Sequence, residues 1–170
     1  PELICVPIVE DSLVLVCGKT HEFYQKDTVY ASELEGRRFA MREKGSGTRK
    51  LFEQYLSAHD IHIQTVWEAN CPRTIMNAVI YNNVLAVISQ RLVKHECMHR
   101  AVKVFRYETG EWDRHFKLVY RIQEAALSEN MLSQGIRILE SALGDYRTLS
   151  LPQDIPTCVF ISDVGKKIAG

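Results

Sequence analysis

Two periods alternate along this chain. Leu13–Cys17 (LVLVC) is a continuous apolar run closed by Gly18 and Lys19, which predicts a strand covered on both faces, as in a parallel sheet. His21 to Tyr30 is polar with scattered aromatic residues and reads as a loop. A one-turn helix is expected over Ala31–Gly36, capped by Ser32, followed by a second strand over Arg38–Arg42. From Gly47 the spacing becomes helical: Leu51, Phe52, Tyr55 and Leu56 form one stripe running to about His59. Ile61–Glu68 alternates in part and predicts a third strand. Cys71-Pro72 then opens a second helix, because proline is at home in a first turn, and its stripe is Ile75, Met76, Val79 and Ile80. Asn82-Asn83 suits the helix end, where left-handed backbone is common.

Further on, the pattern predicts strands at Leu85–Ser89, Ala101–Tyr107 and Phe116–Ile122, with a short helix over Gln90–His95 and a turn at Thr109-Gly110. Ser128–Leu143 reads as a final amphipathic helix, Thr148–Pro156 as loop, and Thr157–Ile161 as one more strand. Strand and helix in alternation specify an α/β fold, a sheet with helices on both faces.

Charge narrows the function classes. Twenty-one Lys and Arg balance twenty-one Asp and Glu, so the formal net charge is zero, and this argues against the chain itself gripping nucleic acid. No apolar run approaches the ~18–20 residues of a membrane span, and no basic leader opens the chain. Five cysteines, at 5, 17, 71, 97 and 158, are odd in number and irregularly spaced. They read as reduced thiols of a cytoplasmic protein, not as a disulfide framework. Because the chain opens at Pro1, a piece of a longer protein is expected.

The densest local chemistry is Arg42-Glu43-Lys44-Gly45-Ser46-Gly47-Thr48-Arg49. A strand ends, glycines turn the backbone, and a helix begins with Ser46 as its cap. The first amides of a helix lack partners within it, and the dipole favours negative charge there. Gly47, Thr48 and Arg49 amides, with the Ser46 and Thr48 hydroxyls, would therefore cradle a carboxylate, sulfate or phosphate. The spacing is not that of a Walker loop, and a plainly capped helix is the bland alternative. Glu68-Ala69-Asn70-Cys71-Pro72 is a second strand-to-helix corner, from which Asn70 and Cys71 would reach the same pocket. His95-Glu96-Cys97-Met98-His99 matches the His-Glu-x-x-His spacing of zinc peptidases. A strand predicted directly after it leaves that helix no room to continue, and Glu111 and Glu124 are poor third ligands. No metal or cofactor is expected. Cys17 or Cys71 as a nucleophile has no further support.

The ordered string Asp11–Cys17, His21, Ser32–Gly36, Phe39–Arg49, Glu68, Ile75–Val79, Leu85–Ser89 and Leu118–Tyr120 resembles the effector-binding domain of LysR-type bacterial transcriptional regulators over about residues 1–145. That resemblance implies a type II periplasmic-binding-protein-like fold with a mixed sheet. Two lobes would be joined by crossing strands, with a small, often anionic effector held between them. It implies residues 1–10 as a crossing strand and hinge, 11–100 as the second lobe, 101–147 as a returning crossing strand and part of the first lobe, and 148–170 as a C-terminal tail. Pro7 and Ile8 would stand near the hinge. Self-association is implied too, and promoter DNA would be bound only through a winged helix-turn-helix outside this sequence. Asn82-Asn83-Val84 stands where the family usually reads Gly-x-Gly, so asparagine must serve that turn. Two rival classes remain in view: a zinc hydrolase using His95, Glu96 and His99, and an exported solute-binding protein, which unpaired cysteines oppose.

Overall fold

The computed structural model describes residues 3–109, 112–121, 137 and 158–161. Its elements in chain order are β1 (Leu3–Gly18), β2 (Thr28–Tyr30), β3 (Arg38–Arg42), α1 (Gly47–Ala58), β4 (Gln64–Ala69), α2 (Pro72–Tyr81), β5 (Ala86–Ser89), α3 (Lys94–Met98), β6 (Val102–Tyr107), β7 (Asp113–Arg121) and β8 (Cys158–Ile161). Short 3-10 turns occupy Glu22–Gln25, Ala31–Leu34 and Gln90–Leu92.

β1 organises the molecule. Its first part, Leu3 to Ser12, pairs antiparallel with β7 as a two-stranded ribbon, with a register shift between Pro7 and Val9. Its last part enters the sheet between β5 and β6, antiparallel to both. The apolar run Leu13–Cys17 is thus buried on both faces as expected, but its neighbours are antiparallel. The parallel pairings lie elsewhere: β3 with β4, and β8 between β6 and β2. A parallel bridge between Phe39 and Leu85 joins β3 to the segment leading into β5. The result is the α/β fold that the alternation of strand and helix predicts, with the mixed sheet that the resemblance implies.

Alternation along β1 sorts the core into two layers. Leu13, Leu15 and Cys17 face α1, packing with Phe39, Phe52, Tyr55, Phe105, Trp112 and Phe160. Val14 and Val16 face α2 and α3, packing with Ile75, Met76, Val79, Ile88 and Cys97. Helices on both faces remove the apolar surface of the strands from water at roughly 25 cal/mol per Å².

Several local expectations change. The polar stretch after His21 is not all loop, because it holds a 3-10 turn and β2. The turn at Ala31–Leu34 is capped by Tyr30, not Ser32: Glu33 reaches back to the Tyr30 amide at 3.0 Å. Ala101–Tyr107 was expected to cross out of the lobe, yet β6 lies inside the sheet beside β1, and the ribbon partner is β7. Asn83 adopts φ 51 after α2, so asparagine does serve that turn. The predicted helix Ser128–Leu143 lies outside the described residues except at position 137. Among the described residues no helix is long and apolar enough to cross a membrane.

Candidate functional site

A cavity of about 470 Å³ opens where the ribbon meets the sheet, within the size range of small-molecule sites. It lies beyond the carboxyl ends of β3 and β5, where open α/β sheets collect ligands. β3 supplies Arg42, the start of α1 supplies Ser46, Gly47 and Thr48, and α2 supplies Pro72. Ile88, Ser89, Arg91 and Leu92 come from β5 and the turn after it, and Arg114 and Phe116 from β7. Three guanidinium groups and three hydroxyls thus face one space, and among the described lining residues there is no carboxylate.

The arginines are held from behind. Asp11, whose side chain is 0% exposed, accepts the Ser89 hydroxyl at 2.6 Å and the Arg114 Nε at 2.7 Å. Arg91 Nε stands 3.9 Å from the same carboxylate and donates to the Glu10 carbonyl at 3.1 Å. A buried charge of this kind is tolerable only because it is paired and hydrogen-bonded. Arg114 also donates to Thr48 Oγ1 at 2.9 Å, tying β7 to the first turn of α1. Its guanidinium lies 5.2 Å from the Phe116 ring centroid. Arg42 binds Glu43 through two hydrogen bonds of 2.9 and 3.0 Å. Those bonds hold the Glu43 carboxyl below its ordinary range.

The turn into α1 has the predicted form. Gly45 takes φ 92, a conformation that disfavours any side chain. Ser46 is the N-cap by backbone, but its side chain makes no capping bond. Lys50 donates the first helical bond, to the Ser46 carbonyl at 2.9 Å, so the amides of Gly47, Thr48 and Arg49 precede it. Gly47 is exposed and Thr48 buried.

Of the residues singled out by sequence, Ser46, Gly47 and Thr48 meet in this cavity. Arg49 does not: its side chain is 10% exposed and donates to Glu53 at 2.7 Å, to Glu68 at 2.6 Å and to the Arg42 carbonyl at 3.0 Å. The two glutamates, Glu53 first, raise its pKa. Asn70 and the exposed Cys71 lie outside the cavity wall, although Cys71 is the N-cap of α2. Hydrogen bonds from the Thr74 and Arg73 amides lower the Cys71 thiol pKa. Burial instead pushes Cys17 up to about 12. Pro7 is exposed on the ribbon at the register shift, away from this wall, and the Ile8 side chain is outside what is described. Arg42, Ser89, Arg91 and Arg114 carry much of the site's chemistry. Arg42 opens the string singled out in the sequence but has no role there, and the other three are marked only by their placement at strand ends or in the turn after β5.

His95 and Glu96 lie on α3, and His99 is its C-cap, so the motif ends with the helix as expected. Among the described residues no group of three or more His, Cys, Asp or Glu is placed to hold a metal.

Known proteins of similar sequence and structure bear on this site. The LysR substrate binding domain family matches residues 1–130. The HTH-type transcriptional regulator CysL of Bacillus subtilis is 23% identical over 137 residues, covering 81% of this chain and 44% of that protein. The chain therefore spans less than half the length of this relative. Among solved structures, the Synechocystis CcmR regulatory domain in complex with 2-PG aligns at TM-score 0.66 and 20% identity, over 90% of this chain and 69% of that one. The effector binding domain of QuiR in complex with shikimate aligns at TM-score 0.62 and 16% identity, over 72% and 57%.

Proposed function

We propose that this chain, which belongs to the LysR substrate binding domain family, is the sensing part of a cytoplasmic transcriptional regulator and holds a small anion at the start of α1. The observation that carries this reading is the convergence of Arg42, Arg91 and Arg114 with Ser46, Thr48 and Ser89 on one cavity. Helix-start amides and fixed guanidinium groups both select negative charge. Thr48 accepts from Arg114, so its own proton remains to donate to a ligand oxygen. The 2-PG and shikimate of the two structural neighbours support an anionic effector by analogy.

The ribbon of β1 and β7 then acts as hinge. Arg114 belongs to β7 and Thr48 to α1, so a ligand touching both has different affinities for open and closed arrangements. Such a difference is what shifts a population. Residues 11–100 with β6 and β8 form the sensing lobe, residues 1–10 enter it along the ribbon, and promoter DNA is contacted by a segment outside this sequence. Catalysis forms no part of this proposal.

The test is titration calorimetry of a panel of small mono- and dianions against this chain and against one extended upstream. Thr48→Val and Arg114→Met are each expected to weaken the best binder at least about tenfold, the worth of one charge-assisted hydrogen bond. Unchanged affinity in both variants would remove the site from consideration.

A further inference from the structure

We infer that His95 and His99 form a two-imidazole chelate for a late first-row divalent cation, on the outside of the lobe and separate from the cavity. The His99 amide donates to the His95 carbonyl at 3.1 Å, so the two side chains stand one helical turn apart on a single face. Their ring centroids are 4.4 Å apart with planes at 61°. Two imidazoles bound to one ion at ~2.1 Å per nitrogen hold their centroids about 5 Å apart, so the pair opens only slightly to take a metal. The His95 side chain is 78% exposed and His99 is also exposed, which leaves the remaining coordination positions to water. The Glu96 carboxylate lies 3.8 Å from His95 Nδ1, adding negative charge behind that ring and leaving Nε2 to face the ion. Lys94 and Arg100, the cations of the same segment, oppose this.

A five-residue helix would ordinarily fray, but this one is closed. Arg100 takes φ 53. Its amide bonds the Cys97 carbonyl at 2.9 Å, and the Ala101 amide bonds the Glu96 carbonyl at 2.8 Å, the double bond pattern of a Schellman end. Tyr24 Oη donates to the Arg100 carbonyl at 2.9 Å, and Cys97 is buried between the two histidines in sequence. The turn carrying both imidazoles is thus fixed before any ion arrives. With two nitrogen ligands and open positions, the site suits Cu²⁺, Ni²⁺ and Zn²⁺ over Mg²⁺ or Ca²⁺. It lacks the third protein ligand of a catalytic zinc centre among the described residues.

The probe is Ni²⁺, titrated calorimetrically into the whole chain with its thiols kept reduced. One equivalent is expected to bind, and His95→Ala and His99→Ala should each weaken it at least about tenfold. His62→Ala, which removes an exposed histidine whose ring faces Glu35, and Cys71→Ser should leave it unchanged. Ni²⁺ should also raise the melting temperature of the parent chain and not that of His99→Ala. The inference fails if both histidine variants bind as the parent does, if no binding is measured, or if Cys71→Ser abolishes it.

Discussion

Gly18 and Gly47 show how differently one residue type is used. A Cβ built on Gly18 would stand 2.4 Å from the Val79 carbonyl oxygen and 3.3 Å from the Ile80 Cα. Both are backbone atoms of α2, so relief requires moving the helix off the sheet. Gly18→Ala is therefore expected to cost about 1–3 kcal/mol, the range for forcing extra volume into a packed interior. Urea denaturation reads this as a lower midpoint at unchanged slope. A Cβ on Gly47 meets nothing within 4 Å, so Gly47→Ala should leave the midpoint near the parent value while narrowing the mouth of the cavity. In the sequence both glycines stand simply at the boundary of an element. The distinction arises from what a distant segment brings alongside, and Arg114, set beside Asp11 by strand pairing and beside Thr48 by the packing of α1, is not legible in the sequence for the same reason.

At the scale of elements, the 3-10 turn Glu22–Gln25 depends on a histidine that must stay neutral. His21 Nδ1 accepts the Phe23 amide at 3.1 Å, a role open only to the unprotonated nitrogen. Burial lowers its pKa first, Glu22 opposes that, and Arg37 adds to it. The native value thus lies below the unfolded one of about 6.5. As pH falls through the unfolded value, the unfolded chain takes up a proton that the native chain refuses, so the contribution of this residue is full above that value and declines below it. Stability measured by urea denaturation should fall on the acid side of about pH 6.5, and His21→Asn, which keeps an acceptor without titrating, should flatten that slope. An unaltered slope would rule out His21 as its source. Elements with a clean period were legible: β3 matches its predicted span, and α1 and α2 begin where glycine and proline said. β2 was missed because three residues carry no period. The length of β1 is not legible in the periodicity, because Pro7, Glu10, Asp11 and Ser12 interrupt its apolar run. Only the resemblance implies a strand over residues 1–10, where Pro7 and Glu10 are exposed on the ribbon and the buried Asp11 is held by Arg114 and Ser89.

For the whole molecule, the sheet edge and the charge balance act together. β4 pairs with β3 and with no other described strand, so one row of its amides and carbonyls has no sheet partner. Val66 and Trp67 on that strand are 39% and 45% exposed. Unpaired edges with exposed apolar side chains invite a second strand. The register shift opposite Phe39 and Ala40 opposes this by bending the edge. What decides between the two is long-range repulsion, and here there is none, because the formal net charge is zero near neutral pH and the sequence pI is about 7.4. The chain is therefore expected to self-associate through β4 as concentration rises, most strongly near pH 7.4. Sedimentation velocity should show the mean mass rising with loading at that pH and less so at pH 9, where the chain becomes anionic. Trp67→Lys removes an apolar contact and places a charge on each copy of the edge, so it should return the chain to monomer without lowering its urea midpoint. If that variant associates as the parent does, the contact lies on another surface and the β4 edge is sufficiently protected by its bulge.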